Sequence, residues 1–139
     1  MSEGSTALSP VELTHRAYAD LNTRDLDAIT GLLGPDCVCD LSRWDLGVHT
    51  GPPAIRRFAA DWLGRLYEYG VEVDDVEDLG NGVVYARHVA HRAATSHGYL
   101  ELPAAAVLVW ADGVLTRMTL YSDREEARSA AKQLAESRG

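Results

Sequence analysis

Between Tyr99 and Tyr121 the chain is a long, largely apolar run that folds back on itself at Ala111-Asp112-Gly113. In its first half Leu100, Leu102, Ala104, Ala106, Leu108 and Trp110 form one set, while Tyr99, Glu101, Pro103, Ala105, Val107 and Val109 form the other. Strand side chains alternate with period two, so the wholly apolar set is expected to face a core. The second half sets Val114, Thr116, Met118 and Leu120 against Leu115, Arg117, Thr119 and Tyr121. A three-residue loop ending in Gly113, a type I turn plus bulge, would place Leu108 and Trp110 with Val114, Thr116 and Met118. A two-residue Asp-Gly loop would instead bury Arg117, so the bulged loop is expected.

The preceding residues read as cover for this sheet. Ser9-Pro10-Val11-Glu12 is a capping box with proline at the first helical position. The helix it opens carries Leu13, Ala17 and Leu21 on one stripe, flanked by Tyr18. A second helix from Asp25 ends at Gly34-Pro35, and Cys37 to Leu41 is a short strand. Arg43 to Gly51 is a loop. Pro52-Pro53 then starts a strongly amphipathic helix through Ile55, Phe58, Trp62 and Leu66 that Gly70 stops. Val71 to Leu79 is an acidic strand, Gly80-Asn81-Gly82 a hairpin turn, and Val83 to Ala94 a long strand. Asp123-Arg124-Glu125-Glu126 caps a short terminal helix. The expected fold is an α+β cone, a curved antiparallel sheet wrapped around three N-terminal helices, with an open mouth and an apolar interior. Residues 1–8 are expected to be a disordered tail and residues 9–136 a single domain.

Composition narrows the partners. A chain of 139 residues buries about 70% of the surface it exposes when unfolded. The formal net charge of −8 lacks the basic footprint for nucleic acid or anionic membrane. No apolar run approaches the roughly 20 residues that span a bilayer, and the N-terminus lacks a leader's basic and apolar regions, so a cytoplasmic location is expected. Cys37 and Cys39 are too close along one strand to bridge comfortably and read as small buried hydrophobes. His15, His49 and His97 show no metal-ligand spacing, and no metal or other cofactor is expected. Neither a phosphate loop nor a nucleophile elbow occurs.

Leu21 to Ala28, Pro35-Asp36, Gly51 with Ala54-Ile55-Arg56-Arg57-Phe58, and Val109 to Leu115 together resemble the SnoaL-like branch of the nuclear transport factor 2 superfamily. The resemblance spans roughly residues 9–131. It implies the cone fold and relatives that include ketosteroid isomerases, epoxide hydrolases, polyketide cyclases, dehydratases and non-catalytic modules. The isomerase base would fall at Leu41, its oxyanion-hole tyrosine at Ala17 and its protonated aspartic acid near Ala106. The epoxide-hydrolase set would fall at Cys39, Leu41, Arg87, Val89 and Leu120, where only the arginine survives. The cyclase aspartate has no counterpart.

Candidate polar groups lie on the strand Val83–Ala94, which presents inward either Tyr85, Arg87 and His91, or His88 and Arg92. A two-residue loop at Ser96-His97 favours the first set; an odd-length loop selects the second. Arg87 is the candidate anchor for a ligand carboxylate, enolate or carbonyl oxygen, or else a structural ion pair with Asp45 or the acidic strand. His91 is a candidate acid–base, or else a core or interface histidine. Asp45 near Trp44, and Asp40, are the carboxylates closest to the missing base. Tyr18, Cys39, Leu41, Trp44, Trp62, Tyr85, Ala106, Leu108, Met118 and Leu120 are the candidate lining of a pocket for a small hydrophobic molecule. Two functions stay open: a cofactor-free enzyme of cyclase, isomerase, dehydratase or hydrolase type, and a binding or dimerisation module. The apolar outer set of Tyr99, Val107, Val109 and Tyr121 points to a homodimer through that sheet face, as does the family resemblance.

Overall fold

A computed structural model describes residues 8–66, 68–95, 98–101 and 103–139. The N-terminal helix α1 (Pro10–Asn22) opens on the capping box, with the Glu12 amide donating to Ser9 Oγ at 3.2 Å and the Ser9 amide to Glu12 Oε1 at 2.8 Å. Helix α2 (Leu26–Gly31) is capped by Asp25 and is shorter than predicted, because the chain already extends as β1 (Leu33–Asp40) across Gly34-Pro35. Gly34 lies against the carbonyl of Leu115 and the Val114 side chain, a close approach suited to a residue without Cβ. The predicted loop after β1 contains a 3-10 turn at Ser42–Trp44 and a short strand, β2 (Val48–Thr50), paired to β1. Helix α3 (Pro52–Gly64) ends before Gly70. Tyr69 and Val71 both line the interior, and that two-residue spacing belongs to a strand, β3 (Glu68–Gly80).

Strands β4 (Val83–Thr95), β5 (Gly98–Glu101), β6 (Ala104–Ala111) and β7 (Val114–Tyr121) follow, then helix α4 (Arg124–Arg138). The seven strands form one sheet in the order β2-β1-β7-β6-β4-β3, with β5 also on β4. The expected antiparallel sheet holds one exception: β1 runs parallel to β7, reached through the long connection such a pair requires. No helix among the described residues is long and apolar enough to cross a membrane.

Two bulges decide which side chains face inward. The β6–β7 turn is the two-residue Asp112-Gly113, with φ of 53° and 82°, rather than the predicted three-residue loop. Positive φ at both positions gives a turn whose twist matches the flanking strands. The extra residue sits further along, as Thr116, between the pairs Val109–Arg117 and Trp110–Leu115. Thr116 Oγ1 donates to the Val109 carbonyl at 3.1 Å. Leu115, Met118 and Leu120 therefore reach the core instead of Val114 and Thr116, and Arg117 keeps its solvent access.

The second bulge is Val89 in β4. Glu72 pairs with Ala90 and Val73 with His88, so Val89 has no counterpart on β3. On the other side, Arg92 pairs with Glu101 and His88 with Ala104, again one residue more on β4. Thr95 pairs with Gly98 as the two-residue loop predicts, but the bulge reverses the parity beyond it. Val84, Ala86 and His88 therefore face the interior, and Val83 and Tyr85 face out.

Each face of the sheet has its own apolar layer. The inner one joins Leu13, Ile55, Ala106, Leu108, Trp110 and Leu120 to the leading helices, and the Trp110 indole donates to buried Thr14 Oγ1 at 2.9 Å. The outer one joins Tyr85, Val107, Val109 and Tyr121 to Ala127, Ala131 and Ala135 of α4. The apolar outer set that suggested a second copy of the chain is thus covered by α4 itself; the Tyr99 side chain lies outside the described residues. Alanine at every fourth position lets the helix sit close to the strands.

Two glycines should respond oppositely to alanine. A Cβ on Gly82 (φ 82°) would strike the Trp110 carbonyl, so Gly82→Ala should cost about 3 kcal/mol in urea unfolding. Gly31 ends α2 with nothing within 4 Å of a new Cβ, and Gly31→Ala should gain about 0.5–1 kcal/mol.

Candidate functional site

The wrapped sheet and its leading helices enclose a cavity of about 410 Å³. Helix α1 contributes Ala17 and Tyr18, β1 contributes Cys37 and Cys39, and α3 contributes Phe58 and Trp62. Leu41 and Trp44 close one side, and Ala106, Leu108, Met118 and Leu120 form the floor from β6 and β7. Phe58 and Trp62 are stacked at 6.2 Å between centroids, and His49 from β2 stacks on Phe58 at 4.2 Å. Their three- and four-residue spacing on α3 is what turns Phe58, Trp62 and Ile55 to one side.

No Asp, Glu, Lys or Arg lines this cavity among the described residues. Its polar groups are the hydroxyls of Tyr18 and Tyr69, the His88 imidazole, the Trp44 indole and two thiols. His88 is only 2% exposed, and its Nε2 lies 2.7 Å from Tyr18 Oη, the rings meeting edge to face. The pair forms because α1 turns Tyr18 toward the sheet while the Val89 bulge turns His88 toward α1. Burial, and secondarily the neighbouring Tyr69, push the Tyr18 hydroxyl far above the usual phenol range. Burial, reinforced by Cys39, moves Tyr69 up to about 12. The Cys37 and Cys39 thiols rise to about 11 and about 12, again chiefly through burial. Both tyrosines are therefore neutral donors at physiological pH, and neither thiol is a ready nucleophile.

Arg87, the predicted anchor, is on the opposite face of the sheet. Its Nε donates to Asp74 Oδ1 at 2.8 Å and its Nη2 to Oδ2 of the same carboxylate. This is the structural pairing with the acidic strand, and it holds Asp74 below the usual carboxylate range. Tyr85 is also outside, buried under α4, and both misplacements follow from the Val89 bulge. Asp40 does not line the cavity: it accepts from the Ser42 hydroxyl at 2.6 Å and amide at 3.0 Å, which lower its carboxyl, and pairs with Arg117 at 3.2 Å. Asp45 is exposed in a left-handed conformation, φ 58°, and does not reach the cavity. The His91 backbone pairs with Val71, and its side chain lies outside the described residues.

Leu41, Ala17 and Ala106, where the isomerase resemblance would put its polar groups, do line the cavity as apolar side chains. Tyr69 was missed because Gly70 reads as a helix stop, although Tyr69, Val71 and Val73 alternate as a strand does. Among the described residues no group of three or more His, Cys, Asp or Glu could hold a metal ion.

The buried thiols and phenols give a signed pH dependence. Each keeps its proton in the folded chain at pH values where the unfolded chain has lost it, so alkali favours unfolding. Stability should be full below the ordinary thiol range, then fall from about pH 8.5 upward through the phenol range toward pH 12. Urea midpoints near pH 7 and about pH 10.5 should show the fall, and Cys39→Val should make it shallower.

The SnoaL-like domain profile matches residues 14–118, from α1 into β7. No curated protein sequence matches the chain. Among solved structures, an LEH-like epoxide hydrolase of Mycobacterium tuberculosis is similar at a TM-score of 0.72 and 14% identity, covering 92% of each chain. A Catenulispora acidiphila protein with a ketosteroid isomerase-like fold, solved with trimethylamine, has a TM-score of 0.72 and 14% identity over 86% of this chain and 92% of its own. TerC, co-crystallised with polyporic acid, has a TM-score of 0.71 and 19% identity over 89% of this chain and 99% of its own. These likenesses share the cone and its helices, and with the profile match over most of its length the chain belongs to the SnoaL-like domain family.

Proposed function

We propose that the cone binds a neutral, mostly apolar small molecule bearing one oxygen, and acts on it by proton transfer without a cofactor. The observation that carries this reading is the Tyr18–His88 pair, closed inside a cavity whose described lining holds no Asp, Glu, Lys or Arg. An ionised ligand entering it would lose its hydration with no counter-charge to meet it. A neutral one meets aromatic and aliphatic walls and one polar pole. With the imidazole proton on Nε2, His88 donates to Tyr18 Oη and leaves the phenol hydrogen free for a ligand carbonyl or hydroxyl. As a base from solvent takes a proton from the carbon beside that oxygen, the negative charge developing on the oxygen would strengthen the donation from Tyr18, whose own oxygen is held by the Nε2–H of His88. Relatives described as an epoxide hydrolase and as a polyporic acid complex lend the fold a precedent for organic ligands.

A second reading, a non-catalytic binding module, is favoured by one feature. The cavity wall at Leu41, where the resemblance implies a base, is a hydrocarbon. The two readings separate on proton exchange.

Acetylnaphthalene, ethylnaphthalene and naphthoate have similar shapes but carry a carbonyl, no oxygen and a charge. Titrated against tryptophan fluorescence, the ketone should bind about five- to tenfold tighter than the hydrocarbon, and the anion most weakly. Tyr18→Phe should erase the ketone's advantage and spare the hydrocarbon, while Arg87→Ala should change none of the three. Tightest binding of naphthoate would overturn the reading. In deuterated water the enzyme should speed exchange of the ketone's methyl protons, with His88→Gln losing about a hundredfold. Binding without exchange would leave the module.

A further inference from the structure

We infer that Arg124, on the far side of the sheet from the cavity, is a positioning residue that sets where His88 stands. Bulges disrupt the local ladder of a strand. At this one the carbonyl of His88 accepts a hydrogen bond from Arg124 Nη2, 36 residues along the chain. Arg124 is the first residue of α4, directly after the cap Asp123, whose side chain accepts from the amides of Glu125 and Glu126 at 2.9 and 3.0 Å. The guanidinium therefore starts from a fixed helix end. Its Nε is buried with no hydrogen-bond partner among the described residues; its charge also acts on Asp74, but the bond to His88 is its directional contact.

The helix behind it is tied down along its length. Arg128 makes a two-pronged pair with Glu77 of β3 at 2.8 and 3.0 Å, and Asn81 Nδ2 donates to the Ala135 carbonyl at 2.6 Å. Ala127 and Ala131 are fully buried on the outer strands. His88 is thus held by its carbonyl from outside and by its ring, through Tyr18, from inside. A cationic donor on a carbonyl is among the stronger neutral-acceptor bonds. It fixes the backbone at the residue whose parity the bulge has reversed.

The inference rests on His88 belonging to the binding pair, so its test starts with a readout that needs no ligand. Imidazole nitrogen resonances of His88 should move in Arg124→Ala and Arg124→Gln. Arg124→Lys, which keeps one cationic donor, should restore them in part. Arg117→Ala, which removes an exposed β7 cation paired with Asp40, away from both Arg124 and Asp74, should leave them in place. With acetylnaphthalene as probe, Arg124→Gln should lose most of the ketone-over-ethylnaphthalene preference, about fivefold or more, while ethylnaphthalene itself binds as before. Unchanged His88 resonances in folded Arg124→Gln, or equal movement in Arg117→Ala, would overturn the inference. If Arg124→Ala does not fold, the Gln and Lys variants decide it. Should the wild-type chain show no ketone preference, the functional reading fails, and the resonances still report whether Arg124 positions His88.

Discussion

One additional residue in one strand governs what this cone can hold. Side chains on a strand alternate, so inserting Val89 into β4 exchanges the faces of everything on one side of it. Without that insertion the register set by Thr95 and Gly98 would carry inward to Tyr85 and Arg87. A guanidinium would then stand in the cavity, which would require a carboxylate beside it or a charged ligand. With it, Ala86 and His88 face in, Arg87 meets Asp74 outside, and the cavity's described lining stays free of carboxylates, guanidinium groups and ammonium groups. The Thr116 bulge does similar work in β7, keeping Arg117 at the surface while Leu115 joins the core.

That dependence also explains what the sequence disclosed. Strand β6 was readable because Ala104 to Trp110 is an unbroken apolar run closed by Asp112-Gly113, and the helices were readable from Ser9-Pro10, Pro52-Pro53 and Asp123. Nine of the ten residues expected to line a pocket do line the cavity; Tyr85 does not. The bulges were not readable. Val89 is apolar but half exposed, and Thr116 is a good strand former, so neither departs from the pattern in a way that marks an insertion. Parity errors are silent when both faces of a strand are apolar. Here the outer face is apolar because α4 lies on it, which a sheet with one solvated face would not allow.

The two layers serve different ends. The outer one is built of alanine against valine and tyrosine, with Ala127 and Ala131 wholly buried, and leaves little room for adjustment. The inner one is built of large side chains arranged around a space they do not fill. A sheet braced by a tightly seated helix on one side can keep an opening on the other, since the walls of the opening need not support themselves. The Thr14–Trp110 bond and the stacked His49, Phe58 and Trp62 keep that rim in shape from the helical side.

Strand β3 lies at the end of the sheet, and its outermost residues include Glu72, Asp74, Asp75, Glu77 and Asp78. An unpaired strand edge invites another chain to add to it; on this thirteen-residue strand Asn22 of α1 already covers part of the edge, bonding the Val71 carbonyl and amide at 2.8 Å each. Repulsion between like carboxylates, together with three register irregularities against β4, makes it a poor template for such addition. Asp74 and Glu77 of that row are engaged by Arg87 and Arg128, so repulsion of an added strand falls to Glu72, Asp75 and Asp78.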